Sequence, residues 1–377
     1  MLAATGRLEL TDWGRLKGET RPSDPPLRAF ELPGEPLWIA AGTRTGLDVW
    51  DYWNVPVAAL LIVSVSAVAL ALGGPILALF VGLVAAIDPV TLLHASNRDD
   101  AVLASALLWA VFAIMALRWR GLGDVALFIA AGAAAITRLE AVLMIVPLLA
   151  VRPVRRSATI AVAGVVVALS AWGVRNQRVL RHFIVGSTHD GITLWESNGP
   201  FALMSLSLGQ VDIVSLNKSV MAPIFAQTRD LDEVGADAFF RREAVRYVAS
   251  HPLDVANTAV AKIGVSLASV HPDLPLTAPR NLAAMLVNAV LLILAGIGLA
   301  RFARSPLSAD DRQVGIVLGV ICFVTLALLA IGPAGMRYWL TLRGACWILA
   351  GVSISSRLTP RTLSSSAPAP LSISQER

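Results

Sequence analysis

The run Asp124-Val-Ala-Leu-Phe-Ile-Ala-Ala-Gly-Ala-Ala-Ala-Ile-Thr137-Arg138-Leu139-Glu140-Ala-Val-Leu-Met-Ile-Val-Pro-Leu-Leu-Ala-Val151 is apolar except at its middle, where Thr137-Arg138-Leu139-Glu140 interrupts it. One continuous helix over 124–151 would be about 42 Å long at about 1.5 Å per residue, well beyond the ~30 Å hydrocarbon core of a bilayer. Two short helices meeting at Arg138 and Glu140 would instead cross and return. Flanking charge chooses between these. Arg118 and Arg120 precede the run, and Arg152, Arg155 and Arg156 follow it. Cytoplasmic loops collect Lys and Arg. A single crossing separates the two basic groups; two crossings keep both inside and put the break on the outer side.

Composition supports a membrane setting throughout. Of 377 residues, 56% are hydrophobic and 15% charged, against about 25% charged in soluble domains, and the mean hydropathy is +0.68. An ordinary soluble enzyme is excluded. Apolar runs near 53–73, 75–93, 101–117, 124–138, 139–151, 158–173, 281–300, 313–332 and 338–354 predict about nine transmembrane helices in an all-α polytopic protein. The formal charge of +5 marks cytoplasmic loops rather than a nucleic-acid partner. Cys322 and Cys346 both fall inside apolar runs and support neither a disulfide framework nor a metal site.

With Arg301, Arg304, Arg357 and Arg361 inside, the chain divides into five regions. Residues 1–52 form an outer first loop, 53–173 an N-terminal transmembrane bundle and 174–280 an outer loop region with amphipathic interfacial helices. Residues 281–354 form the C-terminal transmembrane helices, and the Ser- and Pro-rich 355–377 a disordered cytoplasmic tail. The first loop carries neither a signal peptide nor a spanning helix. Within the insert, Asp230 or Asp232 caps a helix running to Ser250 and stopped at His251-Pro252. Beyond it Leu253, Ala256, Val260, Ile263, Leu267 and Val270 make one apolar stripe. That stripe reads as a helix lying in the interface, with a tenth span interrupted by Lys262 as the alternative. Trp50, Tyr52, Trp53, Trp119, Trp172 and Trp339 stand at run ends as an aromatic belt.

Phosphate-binding, dinucleotide and zinc signatures are missing from the sequence. Chemistry therefore falls to polar residues gathered at the outer face. Asp88, at the outer end of a span, is costly there without a partner and either serves a sugar or a base, or belongs with Asp99 and Asp100 as a helix cap. Arg138 and Glu140 either hold a phosphate through the guanidinium fork or form a structural ion pair that ends one helix and starts the next. Arg175-Asn176, His189 and Asn198 lie in a turn-rich polar segment suited to sugar recognition, and equally ordinary for an exposed loop. Arg337 and Tyr338, at the outer start of the last span, suit a lipid phosphate or simple interfacial anchoring. Metal binding by His94, His182, His189, His251 and His271 lacks ligand spacing, so no cofactor is expected. Asn217-Lys218-Ser219 matches a glycosylation pattern with little weight.

The order of these groups resembles a family. Pro33-Gly34-Glu35-Pro36-Leu37 is similar to a "PGYPL" segment, Thr137-Arg138-Leu139-Glu140 to "TRPE", and Arg175-Asn176 through Ser187-Thr188, Gly191, Leu194 and Asn198-Gly199-Pro200 to "RN…ST..G..L..GN.P". Glu243-Ala244 to His251-Pro252 is similar to "EA…HP", and Arg337-Tyr338-Trp339-Leu340 to "RYxLP". These motifs, in this order, are those of the polyprenol-phosphate-sugar-dependent GT-C glycosyltransferases, such as protein O-mannosyltransferases and lipid A aminoarabinose transferases. The resemblance covers most of residues 30–345. It implies a GT-C-like bundle that moves a sugar from a polyprenyl-phosphate donor to a glycan, lipid or protein hydroxyl outside the membrane. By analogy Arg337, with Arg138, holds the phosphate, since inversion needs a carboxylate base and positive charge at the leaving group. The family's Asp-Glu pair after its first membrane helix has no match here. Asp12, Glu19 and Asp24 do not fit the motif, so the resemblance implies a helix and pair preceding Met1. Richness in Ala and Arg points to a bacterial plasma membrane. A non-catalytic relative binding a polyprenyl lipid or partner is the second reading; a transporter, which needs polar groups through the full membrane depth, is the third.

Overall fold

The computed structural model describes residues 28–29, 31–45, 54–96, 100–117, 120–151, 154–202, 223–224, 226–228, 230–268, 277–304, 309–332 and 339–354. Arg337, Tyr338, Asp99, His271, Asn217 and the tail from 355 lie outside them. The protein is an all-α polytopic membrane protein, with thirteen α-helices and no strand among the described residues. In chain order these are α1 (Gly34–Arg44), α2 (Val55–Ile87), α3 (Pro89–Ser96), α4 (Asp100–Ala116), α5 (Leu122–Thr137) and α6 (Glu140–Ile145), the last continued by a 3₁₀ turn over Val146–Ala150. There follow α7 (Arg155–Leu180), α8 (Asp190–Asn198), α9 (Glu233–Ser250), α10 (Pro252–Ala268), α11 (Pro279–Arg304), α12 (Ala309–Ile331) and α13 (Leu340–Ile354).

α2 is a helical hairpin. At Gly74 the backbone takes φ +80°, ψ −169°, a region that only glycine enters without strain, and Pro75 restarts the helix. A Cβ on Gly82 would lie 2.8 Å from Ser66 Oγ, so positions on either side of Gly74 meet face to face. The apolar runs 53–73 and 75–93 are thus separate helices. The second ends at Asp88, where φ −64° and ψ 116° leave the helical region and Pro89 opens α3, so it stops short of residue 93. The remaining apolar runs coincide with α4, α5, α6, α7, α11, α12 and α13. α7 and α11 are each long and apolar enough to cross a membrane by themselves, α2 reaches that length only with its two arms together, and α5, α6 with its 3₁₀ turn, and α13 are shorter apolar helices.

The interrupting tetrapeptide does break the helix. Arg138, at φ −146° and ψ 127°, is extended and ends α5, and α6 starts at Glu140. α7 runs on to Leu180, beyond the expected end at 173, because Arg175 and Asn176 find partners from within the helix.

Small residues let the helices approach closely. A Cβ on Gly132 would fall 2.9 Å from the Gly164 carbonyl, and one on Gly164 would overlap the Phe128 backbone of α5. Gly298 on α11 meets the Leu349 backbone of α13 in the same way. Helices in lipid associate through such packing, since lipid tails are as apolar as the side chains they touch. Outward faces are correspondingly apolar: Ile76 is 82% exposed and Leu122 88%. α10 is turned the same way. Its polar Thr258, Lys262 and Ser266 are buried, while Leu253 and Val260 of the apolar stripe point away from the protein. Asp232 caps α9, its side chain accepting from the Gly235 N–H at 2.7 Å, and His251-Pro252 separates α9 from α10.

Candidate functional site

The break at Arg138 places three charges together. Arg138 Nη1 donates to both carboxylate oxygens of Asp100 at 3.1 Å, and Nη2 donates to Glu140 Oε1 at 2.9 Å. Asp100 opens α4, where the helix dipole favours an anion. Two carboxylates flank the one guanidinium. Arg138 is thus engaged in ion pairs with Asp100 and Glu140 across the break. Pro33-Gly34 closes over the same break. A Cβ on Gly34 would fall 2.6 Å from Thr137 Cα, so two motifs remote in sequence touch.

Beside this cluster lies a small, partly open cleft of about 60 Å³. Ala101, Ala104 and Leu108 of α4, Ala141 and Met144 of α6 and Leu328 of α12 form its apolar wall. Its polar lining comes from Arg138, Glu140 and the Ser105–Thr341 pair, whose hydroxyls are 2.9 Å apart. Apolar walls with a few convergent polar groups are the lining that small-molecule sites use, here on a smaller scale.

Asp88 does not line this cleft. It is buried, accepts from the Thr91 N–H at 2.8 Å as the cap of α3, and pairs with Arg343 of α13. Arg343 is wholly buried, donates from Nη1 to Asn288 Oδ1 at 2.6 Å, and stacks 4.6 Å from the Trp339 ring. Asn288 passes the chain on, its Nδ2 donating to the Ala268 carbonyl at 3.0 Å. Asp88 thus works as a structural anchor joining α2, α11 and α13. Arg343 and Asn288 were missed from sequence, although a lone arginine inside the apolar run 338–354 signals a buried carboxylate partner.

The remaining candidates tie the segments around α7, α8 and α9 together. Arg175 Nη1 donates to the Arg28 carbonyl at 2.6 Å and to Asn176 Oδ1 at 2.9 Å, over the Trp172 ring. Asn176 is fully buried and donates to the Ile184 carbonyl at 2.8 Å. The His189 N–H reaches Ser187 Oγ at 3.3 Å. Asp190 accepts from the Ser187 hydroxyl at 2.6 Å and from its N–H at 3.2 Å. Burial raises its pKa above the usual carboxylate value, against the lowering by the Ser187 bonds. Glu233, unmarked in sequence, accepts from the N–H groups of Arg28 and Ala29 at 2.7 Å each and from the Thr188 hydroxyl. Asn198 Nδ2 donates to the carbonyls of Leu194 at 3.0 Å and Ile331 at 2.6 Å. No group of three His, Cys, Asp or Glu fit to hold a metal occurs among the described residues.

No protein-family model and no curated protein matches the chain. Solved structures do resemble it. The chain aligns over 93% of its length with 71% of ArnT from Cupriavidus metallidurans bound to undecaprenyl phosphate, at 16% identity and a TM-score of 0.37. It aligns over 94% of its length with 70% of the apo form of that protein, at 15% identity and a TM-score of 0.33. A superposition this loose assigns no residue role.

Proposed function

We propose that this protein is a bacterial plasma-membrane glycosyltransferase that passes a sugar from a polyprenyl-phosphate donor to an acceptor hydroxyl on the outer side. The observation that carries this reading is the cleft between α4, α6, α12 and α13. Its small apolar wall suits an isoprenoid chain, and Glu140 brings a carboxylate into it. Glu140 takes the acceptor proton as general base, aimed by Arg138, which Asp100 holds from its other side. The acceptor oxygen attacks the anomeric carbon as the bond from that carbon to the phosphate oxygen breaks. Polyprenyl phosphate leaves with the electron pair, and configuration inverts. Arg337, matching the "RYxLP" segment, holds the departing phosphate, Tyr338 beside it. Lys and Arg gathered in the loops at the opposite ends of the helices support an outward orientation of this face.

The experiment uses protein in nanodiscs with a photoreactive polyprenyl phosphate and labelled polyprenyl-phosphate sugars. Saturable labelling of α4 and α6 is expected, lost in Ala104→Trp, and Glu140→Gln is expected to bind lipid while losing sugar turnover. Labelling that Ala104→Trp leaves unchanged overturns the cleft assignment. Lipid binding with no turnover of any donor sugar makes the protein a lipid-binding relative.

A further inference from the structure

Ser105 of α4 and Thr341 of α13 both line the cleft, their hydroxyl oxygens 2.9 Å apart. Ser105 is 2% exposed. Two hydroxyls bring two hydrogens, and their mutual bond uses one. A serine inside a helix can return its hydrogen to the carbonyl four residues back, but neither hydroxyl has a second partner among the described residues. One hydrogen is left without an acceptor, beside lone pairs that can still accept. A buried polar group in that condition is costly, and the deficit lies on the cleft wall.

The pair is held in place from behind. Trp109, one turn after Ser105 on α4, is fully buried and donates from Nε1 to the Thr341 carbonyl at 3.1 Å. A Cβ on Gly344 would overlap the Trp109 ring, so α13 carries glycine where the indole packs. Ser and Thr bonds across helices serve as glue in membranes. Here the Trp109 bond already joins α4 to α13, and the hydroxyl pair keeps hydrogen-bonding capacity for a ligand.

The cleft limits what that ligand is. About 60 Å³ is room for a few water-sized groups, so a substituent enters and a whole sugar ring does not. Ala101, Ala104 and Ala141 wall it with methyl groups, which suit a carbon atom and offer no charge. The hydroxyl pair asks for an atom that accepts one hydrogen bond and can return one. An alcohol on a single methylene, the exocyclic hydroxymethyl of a hexose, meets each requirement. Ser105 stands five residues beyond Asp100, about 7.5 Å along α4 at about 1.5 Å per residue. The charged end of the cleft and the hydroxyl pair are thus separated by about the breadth of a sugar ring.

We propose that Ser105 and Thr341 are specificity-determining residues that bind the hydroxymethyl group of a hexosyl donor and select hexoses over sugars that lack it. This rests on the reading of the cleft as the donor site, with Glu140 at its reacting end.

The test is equilibrium binding, to the full chain in nanodiscs, of polyprenyl-phosphate-linked glucose, galactose and mannose, each against its 6-deoxy analogue. The parent is expected to bind at least one hexose about tenfold more tightly than its deoxy analogue, the scale of one hydrogen bond. Ser105→Ala combined with Thr341→Val is expected to bring that ratio close to one, each single substitution partway. Thr341→Ser, which keeps the hydroxyl, is expected to retain it. A merely structural pair would weaken both ligands alike; an unchanged ratio in the double variant overturns the proposal, as does a parent that binds the two forms equally. Binding of neither form overturns the donor reading itself and this role with it. If the double variant does not fold, the singles carry the test through the same ratio.

Discussion

Replacing Arg343 by Met keeps an unbranched side chain of similar length and removes a charge that Asp88 and Asn288 both depend on. Arg343 is fully buried and Asp88 is 5% exposed, so solvent offers no substitute. Breaking a buried pair on one side costs about 3–5 kcal/mol, because the surviving charge loses its counterion and cannot regain water. Asp88 keeps one bond, from the Thr91 N–H, which places the expected loss towards the lower end, near 3 kcal/mol. Removing both charges, as Asp88→Leu with Arg343→Met, is expected to return most of it, to within about 1 kcal/mol of the parent, since an apolar pair carries no desolvation penalty. The assay is the thermal midpoint and denaturant stability of the purified protein in one detergent for parent, singles and double. A coupling of about 2 kcal/mol or more separates an interacting pair from two independent residues. Singles within about 0.5 kcal/mol of the parent, or a double as unstable as the sum of the singles, would refute the anchoring role.

Gly164→Leu forces a side chain into the Phe128 backbone; separating α5 from α7 is expected to cost about 1–3 kcal/mol or more, whereas Gly296→Ala, open around its Cα, is expected to be neutral or stabilising in the same melts. Glu233→Ala strands the two N–H groups of Arg28 and Ala29, and their amide exchange is expected to rise at least tenfold; unchanged exchange would show that the segment is held otherwise. Asp190 has a raised folded-state pKa because of burial, so between its unfolded value of about 3.9 and that raised value the native state holds more protons. Stability from this group is then present at low pH and lost as pH rises through the folded pKa. Thermal midpoints measured across that window are expected to fall in the parent relative to Asp190→Asn, and a flat difference would refute the shift.

Position along the chain was enough to read the membrane character, the helical breaks and the cap of α9. Residues such as Gly74-Pro75, Asp232 and Thr137-Arg138-Leu139-Glu140 act within one or two turns, through backbone freedom, capping and the cost of a charge in an apolar run. Those forces are local, so the sequence displays them. Which charge meets which is a different matter. Asp88 reads as a carboxylate in need of a partner, and only α13 shows that Arg343 is that partner; Arg138 and Glu140 read as neighbours at a break, and only the fold adds Asp100 of α4 to them. Lys262 interrupts an apolar stripe in sequence, yet in space it closes the ends of two other helices. Counterions stand tens to hundreds of residues away, and a buried charge is decided by what reaches it across the bundle. Sequence alone determined where the chain turns and where charge is expensive; tertiary packing decided which of those charges brace the bundle and which carboxylate lines the cleft.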